Sequence, residues 1–388
     1  MMTKGQDSLS VAERNALQGF NDTIDREAED FIRVNLVVCD PGEVLYSTLG
    51  HAALRLQCPA FDLDYIYTSE SESVKNKFLT FLRGDLKMGV FAVPTTQFVD
   101  FYHETGRGIK EYTMNLSPDK ERKLWRVMDK HVAEGSEIPY DYFRNGCAKS
   151  VVNIMHEALG SQAIHYAPWS DKYTKKTMRE LGIEYVSKDL WEKFVLFFII
   201  GSDFDKPYPC EQKLIVPTDL AEVWQQATLE NGKPVLEKIP HTLNDGDQDK
   251  NGSWFSPLLV TILLLLLSIG SLATIGVKNK YVQFAGTIVD GVIVAIVTIL
   301  GMLMTYLICF SKLPCTSWNW LIIPFNILPA IAWYWRKYWA LPVAVVLMVW
   351  GGVMSYEIVW GHILVDWPHI ILAITFVITL LKQYFKTK

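Results

Sequence analysis

Two stretches of the chain carry side chains suited to a thiol nucleophile and its base. Cys147 stands in "YDYFRNGCAKSVVNIM", after a glycine and before a run of Val151, Val152, Ile154, Met155, Ala158 and Leu159 at helical spacing. A cysteine opening a helix gains thiolate character from the positive end of the helix dipole, and a histidine nearby can hold that thiolate as an ion pair. The histidine is sought in "LYSTLGHAALRLQ", residues 45 to 57, where a Ser/Thr/Gly-rich approach turns into an alternating strand. There His51, Ala53 and Arg55 share one face and Ala52, Leu54 and Leu56 the other. A histidine at the start of a strand needs no chemical reason, and eight histidines with six cysteines offer many chance pairs.

The remaining cysteines read more plainly. Cys39 and Cys58 flank the His51 segment and are candidates for a disulfide in an oxidising compartment. Cys210 stands alone after "KPYP", and Cys309 and Cys315 lie at a membrane boundary. No pair has C-x-x-C spacing, so neither a structural zinc site nor any other metal or cofactor is expected. His103, beside Glu104 and Arg107, reads as a surface residue near a helix end.

The elements that must position these groups form an α+β domain with a small sheet. Residues 8 to 31 read as a polar amphipathic helix, "FIRVNLVVC" as a buried strand, and "DPGE" as the turn leading to the histidine strand. Further strands are expected at "FDLDYIYTS", "LKMGVFAVP" and "IKEYTMNL", and helices at "SVKNKFLTFLRGD", "TTQFVDFYHETG" and "SPDKERKLWRVMDKHVAEG". The last of these helices has Ser117 as N-cap and Pro118 at its first position.

Half of the 388 residues are apolar, but they are unevenly spread. Residues 1 to 250 mix acids, bases and prolines, whereas long apolar runs dominate from Trp254 onward. Five segments, 254–277, 283–310, 318–335, 338–360 and 366–385, suit the roughly 20 residues a bilayer core requires. Lys278, Lys280, Arg336, Lys337, Lys382, Lys386 and Lys388 fall on one side against Lys312 on the other, which makes the first side cytoplasmic. The globular part then lies outside the cytoplasm. Residues 1–30 show no apolar signal-peptide core, and because three loops agree on the charge bias we read the start as trimmed or mis-set rather than the orientation as inverted. The net charge of −5 comes without a basic stripe, so nucleic acid is not an expected partner.

Two segments stand apart from this plan. "WEKFVLFFIIG", residues 191–201, is too short to span and more apolar than a soluble surface helix, so it is either core or an interfacial segment dipping toward lipid. Residues 226–252 are polar and rich in Gly and Asp, and read as a linker to a membrane domain over 253–388. Within that domain Glu357, His362, Asp366 and His369 gather at the outer helix ends, where they either snorkel to headgroups or shape a substrate groove at the membrane face. Asp290 lies deeper, toward the inner end of its helix.

The stretches "CDPGEVLYSTLGHAALRL", "FLRGDL", "YHETGRGIKEYTMNLSPDKERKLW", "YDYFRNGCAKSVVNIM" and "IIGSDFDKPYPCEQKLIVPTDL" resemble, in that order, the periplasmic domain of the Bacteroidota lipoprotein N-acyltransferase (Lnb) family. The likeness covers residues 31–225 and implies a circularly permuted papain-like (NlpC/P60-like) thiol fold followed by a membrane domain. The order of histidine before cysteine, the reverse of papain's, fits such a permuted enzyme. Carried over, the catalytic histidine is His51 and the nucleophile Cys147. Where relatives read Asp-Asn-Cys this chain has Asn145-Gly146-Cys147, and Lys149-Ser150 replaces a Thr-Arg, so a backbone N–H rather than a side chain is expected to serve the oxyanion. Ser47, Gly50, Arg55, Gly106 and Arg107 match recurrent positions of the family and are expected to support the site, although a surface ion pair would equally explain the arginines. Asp64 is the first choice to orient His51, with Asp62 and Glu43 behind it.

The resemblance implies an enzyme that moves an acyl chain from a phospholipid, through a Cys147 thioester, to the α-amine of a diacylglyceryl-lipoprotein. It would be a multi-pass protein of the bacterial inner membrane, catalytic domain in the periplasm and C-terminus in the cytoplasm. Two other classes compete with this reading. A membrane-tethered cysteine lipid hydrolase would use the same dyad with water as acceptor, and a lipid- or lipoprotein-binding module would carry the dyad as a relic.

Overall fold

The computed structural model describes residues 32–42, 47–59, 62–71, 78–135, 137–141, 143–186, 190–246, 255–313, 315–316, 324–326, 328–359 and 366–387. The expected helix over 8–31, Glu43, His362 and residues 318–323 and 327 of the 318–335 segment fall outside these residues. The chain divides into one unit of residues 1–185 and 207–250 and a second of 186–206 and 251–388.

In the first unit, strands β1 (Arg33–Cys39), β2 (His51–Cys58), β3 (Leu63–Ser71), β4 (Lys87–Pro94), β5 (Ile109–Thr113), β6 (Ile138–Pro139) and β9 (His241–Asn244) form an antiparallel sheet in the order β6-β4-β3-β2-β1-β5-β9. A separate pair joins β7 (Ile164–His165) to β8 (Thr228–Leu229). The helices are α1 (Phe78–Arg83), α2 (Thr95–Glu104), α3 (Pro118–Glu134), α4 (Cys147–Leu159), α5 (Asp171–Lys175), α6 (Met178–Val186) and α8 (Pro217–Gln226).

Central strand β1, "RVNLVVC", is buried at every residue but the first because both faces of the sheet are covered. One face of β2, with Ala52, Leu54 and Leu56, packs in the core that holds Val151, Val152 and Met155 of α4. The other, with Ala53, packs with Val37, Ile66 and Val93 against Phe98 and Tyr102 of α2. Each fully buried aliphatic side chain contributes about 1.5–3 kcal/mol, so a one-residue slip of β2 would exchange two packed faces at once.

Two sequence expectations are corrected here. Residues 228–244 are not a free linker: β8 and β9 are paired strands, and the Glu237 N–H donates to the Thr113 carbonyl at 2.9 Å. Cys39 and Cys58 are not joined in a disulfide. Cys39 pairs with His51 at one end of β2 while Cys58 closes the other, seven residues or about 23 Å away, and the two belong to cores on opposite faces.

The second unit holds α7 (Leu190–Ile199), α9 (Pro257–Leu272), α10 (Lys280–Cys309), α11 (Leu328–Tyr334), α12 (Arg336–Val359) and α13 (Trp367–Thr387). Among the described residues three stretches are long and apolar enough to cross a membrane, Lys280–Cys309, Tyr338–Tyr356 and Trp367–Lys386, and Pro257–Leu272 is a shorter apolar helix. Helix α7 resolves the puzzle of "WEKFVLFFIIG": it belongs to this unit. Phe197 and Phe198 are buried there, Phe194 stacks on His369 at 4.2 Å, and the Trp191 indole donates to the Phe255 carbonyl at 2.8 Å.

Candidate functional site

The site is built where two strands part. The β2–β3 ladder runs from Cys58–Leu63 to Ala53–Thr68 and stops, so His51 pairs only with Cys39 of β1. Past that last pair the Ala52 N–H is directed at the Cys147 sulfur, which also receives the N–H groups of Ala148 and of Cys147 itself. The sequence around the cysteine dictates this placement. Asp141 is buried and its Oδ1 accepts the N–H groups of Phe143 and Arg144, a side-chain turn that delivers the chain to Gly146. Gly146 caps α4 with extended backbone (φ −65°, ψ 171°), and its carbonyl accepts the Ser150 N–H at 2.9 Å. Ser150 in turn meets Ser69 of β3, Oγ to Oγ at 2.5 Å, fixing the first turn of the helix against the sheet.

His51 is mostly buried, its ring centroid 6.4 Å from that of Phe98, and its Nε2 lies 2.6 Å from the Thr68 hydroxyl. Thr68 donates onward to Glu70 Oε1 at 3.3 Å. Below them Cys39 lies near the Tyr102 hydroxyl, and the Arg107 guanidinium sits 4.4 Å over the Tyr102 ring while its Nε donates to the Asp40 carbonyl at 2.8 Å. Gly50 makes the entry to β2: its φ of +84° and a built Cβ only 2.6 Å from the Cys39 carbonyl leave no room for a side chain. Ser47 is buried and its carbonyl accepts the N–H groups of Gly42 and Gly50, each at 2.9 Å.

The structure therefore brings together Cys147, the backbone beside His51, and the Gly50 turn, with Arg107 close enough for its charge to act on His51. It does not bring Asp64 to His51. Asp64 pairs with Gln57, six residues or about 20 Å along β2, and its carboxylate is taken bidentately by Arg55 and by the Thr95 hydroxyl. Arg55 also binds both oxygens of Glu111, which accepts the Asn35 amide, so Arg55 staples β1, β2, β3 and β5 at a distance from the sulfur. Asn145 donates to the Pro139 carbonyl at 3.2 Å, which leaves backbone N–H groups as the donors at the sulfur.

In the second unit Asp366 is buried and accepts from His369 Nδ1 at 2.6 Å. Glu357 lies on α12. Thr68 and Glu70 were missed by sequence reasoning. The signal available was "YTSE", whose Thr68 and Glu70 alternate onto the His51 face of β3.

Electrostatically the resting pair is neutral. Burial pushes the Cys147 thiol above its ordinary value, partly offset by the three N–H groups, and the nearby Glu70 charge adds to the rise. Burial pushes His51 down to about 3, with the Arg107 charge adding to the effect. The ion pair expected from the helix dipole is thus not the resting state, because desolvation outweighs a partial charge. A pH dependence follows. The unfolded chain protonates this imidazole below about 6.5 and the folded chain only near 3, so the stability tied to the neutral ring is lost as pH falls through that window. His51→Gln is expected to lose less melting temperature than wild type between about pH 7 and about pH 4.5. Equal slopes in the two proteins would remove His51 as the source.

The first unit is an α+β domain with a cysteine opening a helix beside a strand histidine, in a chain whose second unit carries membrane-spanning helices. That combination defines a membrane-bound protein with a thiol-bearing outer domain. Residues 23–178 match the Lnb N-terminal periplasmic domain and residues 248–388 the Lnb transmembrane domain. The chain belongs to the Lnb family, a lipoprotein N-acyltransferase-like group of membrane proteins, with its N-terminal domain in the periplasm and its C-terminal region in the membrane. No curated protein and no solved structure matches it.

Proposed function

We propose that this protein is a lipoprotein N-acyltransferase working through a Cys147 thioester. The observation that carries the reading is the sulfur itself, set at the start of α4 beneath three converging backbone N–H groups and next to the His51 peptide. As an ester carbonyl of a membrane phospholipid approaches, His51 takes the thiol proton and the sulfur adds to the carbonyl carbon. The N–H groups of Ala148 and Cys147, which point at the sulfur in the resting state, then receive the oxyanion, and His51 returns the proton to the departing alkoxide. The α-amine of a diacylglyceryl-lipoprotein then attacks the thioester carbonyl, His51 accepts its proton, and the thiol is restored. Neutral starting groups suit this sequence, since charge develops only as the carbonyl arrives and excludes water. Both substrates reside in the membrane, and extracting an acyl chain would cost about 0.8 kcal/mol per CH₂, which accounts for joining the thiol domain to a membrane domain. The reading places the protein in the inner membrane with its C-terminus in the cytoplasm.

The test is intact mass of the full chain purified with its membrane lipids, before and after neutral hydroxylamine. A hydroxylamine-labile acyl-sized adduct that discharges into an N-acyl product on addition of a diacylglyceryl-lipopeptide is the expected result. Discharge only to free fatty acid would replace the transferase with a lipid hydrolase. Absence of any adduct, with phospholipid supplied and the thiol reduced, would leave the binding-module reading.

A further inference from the structure

His51 needs a partner that fixes which of its nitrogens carries the proton, and Asp64 is too far along the sheet to be that partner. The hydrogen-bond chain on β3 supplies one. Thr68 has a single hydroxyl hydrogen, which it donates to Glu70 Oε1. At its 2.6 Å contact with His51 Nε2 the same hydroxyl must then accept, so Nε2 carries the proton and Nδ1 holds the lone pair. We propose that Thr68 and Glu70 are positioning residues of the site: Thr68 holds the imidazole in the tautomer whose Nδ1 receives the Cys147 proton, and Glu70 holds Thr68 as the acceptor.

Several features agree. Register alone would set Glu70 opposite His51, just past the last β2–β3 pair, and the carboxylate is close enough for its charge to act on Cys147. When His51 takes the thiol proton at Nδ1 it becomes an imidazolium whose Nε2–H still points at Thr68. The Glu70 carboxylate, one hydroxyl away, then offsets the new positive charge, and returning the proton to the leaving alkoxide restores the starting state. No co-reactant is required. The other charged or titratable groups facing this centre are Cys39 from β1, Tyr102 from α2, Arg107 from the turn after α2 and Cys147 from α4. The hydrogen bond of the His51 ring goes instead to Thr68, at 2.6 Å.

The inference rests on the proposed thiol chemistry but can be tested apart from acyl transfer, because proton removal from Cys147 also governs its alkylation. In the full chain, iodoacetamide labelling of Cys147 is followed by peptide mass mapping in wild type, Thr68→Val, Thr68→Ser and Glu70→Gln proteins and in the Thr68→Val/Glu70→Gln double variant. Thr68→Val, which keeps the shape and deletes the hydroxyl, is expected to slow labelling and acyl-enzyme formation by about 10–100-fold, with Thr68→Ser restoring the rate to within about 3-fold. The slowing caused by Glu70→Gln is expected to disappear once Thr68 is valine, since that part of its effect acts through Thr68, leaving only the faster labelling that follows from removing a negative charge near Cys147. Equal losses in the valine and serine variants, or additive effects of Glu70→Gln and Thr68→Val, would overturn the proposal. If wild type forms no acyl-enzyme, the transferase reading fails while the labelling series still decides the role of Thr68.

Discussion

Cys147→Ala is expected to abolish the hydroxylamine-labile adduct and to lower N-acyl transfer by at least about 10³-fold, the largest effect of any single change in the chain. The size follows from the covalent step. No other described cysteine occupies comparable ground: Cys39 and Cys58 are buried in opposite cores, Cys210 hydrogen-bonds the Tyr173 carbonyl, and Cys309 and Cys315 belong to the second unit. Deleting one sulfur atom beneath three N–H groups leaves the helix start intact, because Gly146 and Ser150 make its first hydrogen bond through the backbone. The variant should therefore keep its melting temperature while losing activity, and intact mass with a lipopeptide acceptor reads both the adduct and the product. An adduct persisting in Cys147→Ala would move the nucleophile elsewhere. Survival of lipid binding with loss of transfer separates an enzyme from a binding module.

The second large effect lies in the membrane unit. Asp290 of α10 and Lys382 of α13 are both buried, with Nζ 2.7 Å from Oδ2. Gln383 donates to the same oxygen at 2.8 Å, and Ser271 of α9 lies 2.6 Å from Oδ1 and 2.5 Å from the Lys382 ammonium. One carboxylate thus joins three helices, and Gly286 beside it leaves the space, since a built Cβ there would stand 3.1 Å from Lys382 Nζ. Lys382→Met leaves a buried carboxylate without its counter-ion and is expected to destabilise the unit by about 3–5 kcal/mol, read as a fall in the unfolding midpoint in detergent. The double variant Asp290→Asn/Lys382→Met removes both charges and should recover all but about 1–2 kcal/mol. Additive losses in the double variant would show that the two side chains do not act as a pair. The same geometry withdraws Lys382 from the loop charges that set orientation and leaves the bias to Lys278, Lys280, Arg336, Lys337, Lys386 and the terminal Lys388.

Much of this protein is determined by its sequence alone. Alternation along "HAALRLQC" sets which residues of β2 face which core, since side chains on a strand alternate whatever the neighbours are. Gly146 before Cys147 and the helical spacing after it fix the cysteine at a helix start, and the apolar runs after Trp254 mark the membrane region. These are local properties, legible because period and capping act within a few residues.

What only the tertiary structure decided is pairing over distance. Asp64 and Glu70 lie on the same face of the same strand, and nothing local says which of them meets His51; the register of β2 against β3 decides it, placing Asp64 at Gln57. The distance between Cys39 and Cys58 depends in the same way on the register of β1 against β2. Helix α7 lies in sequence within the outer domain, yet its phenylalanines pack around His369 in the membrane unit, because burial is assigned by the surface available in three dimensions and not by position along the chain. The protonation state of the thiol belongs here too. A helix dipole can be read from the residues, but the desolvation that overrides it arises only when the sheet, α2 and α4 close over His51 and Cys147.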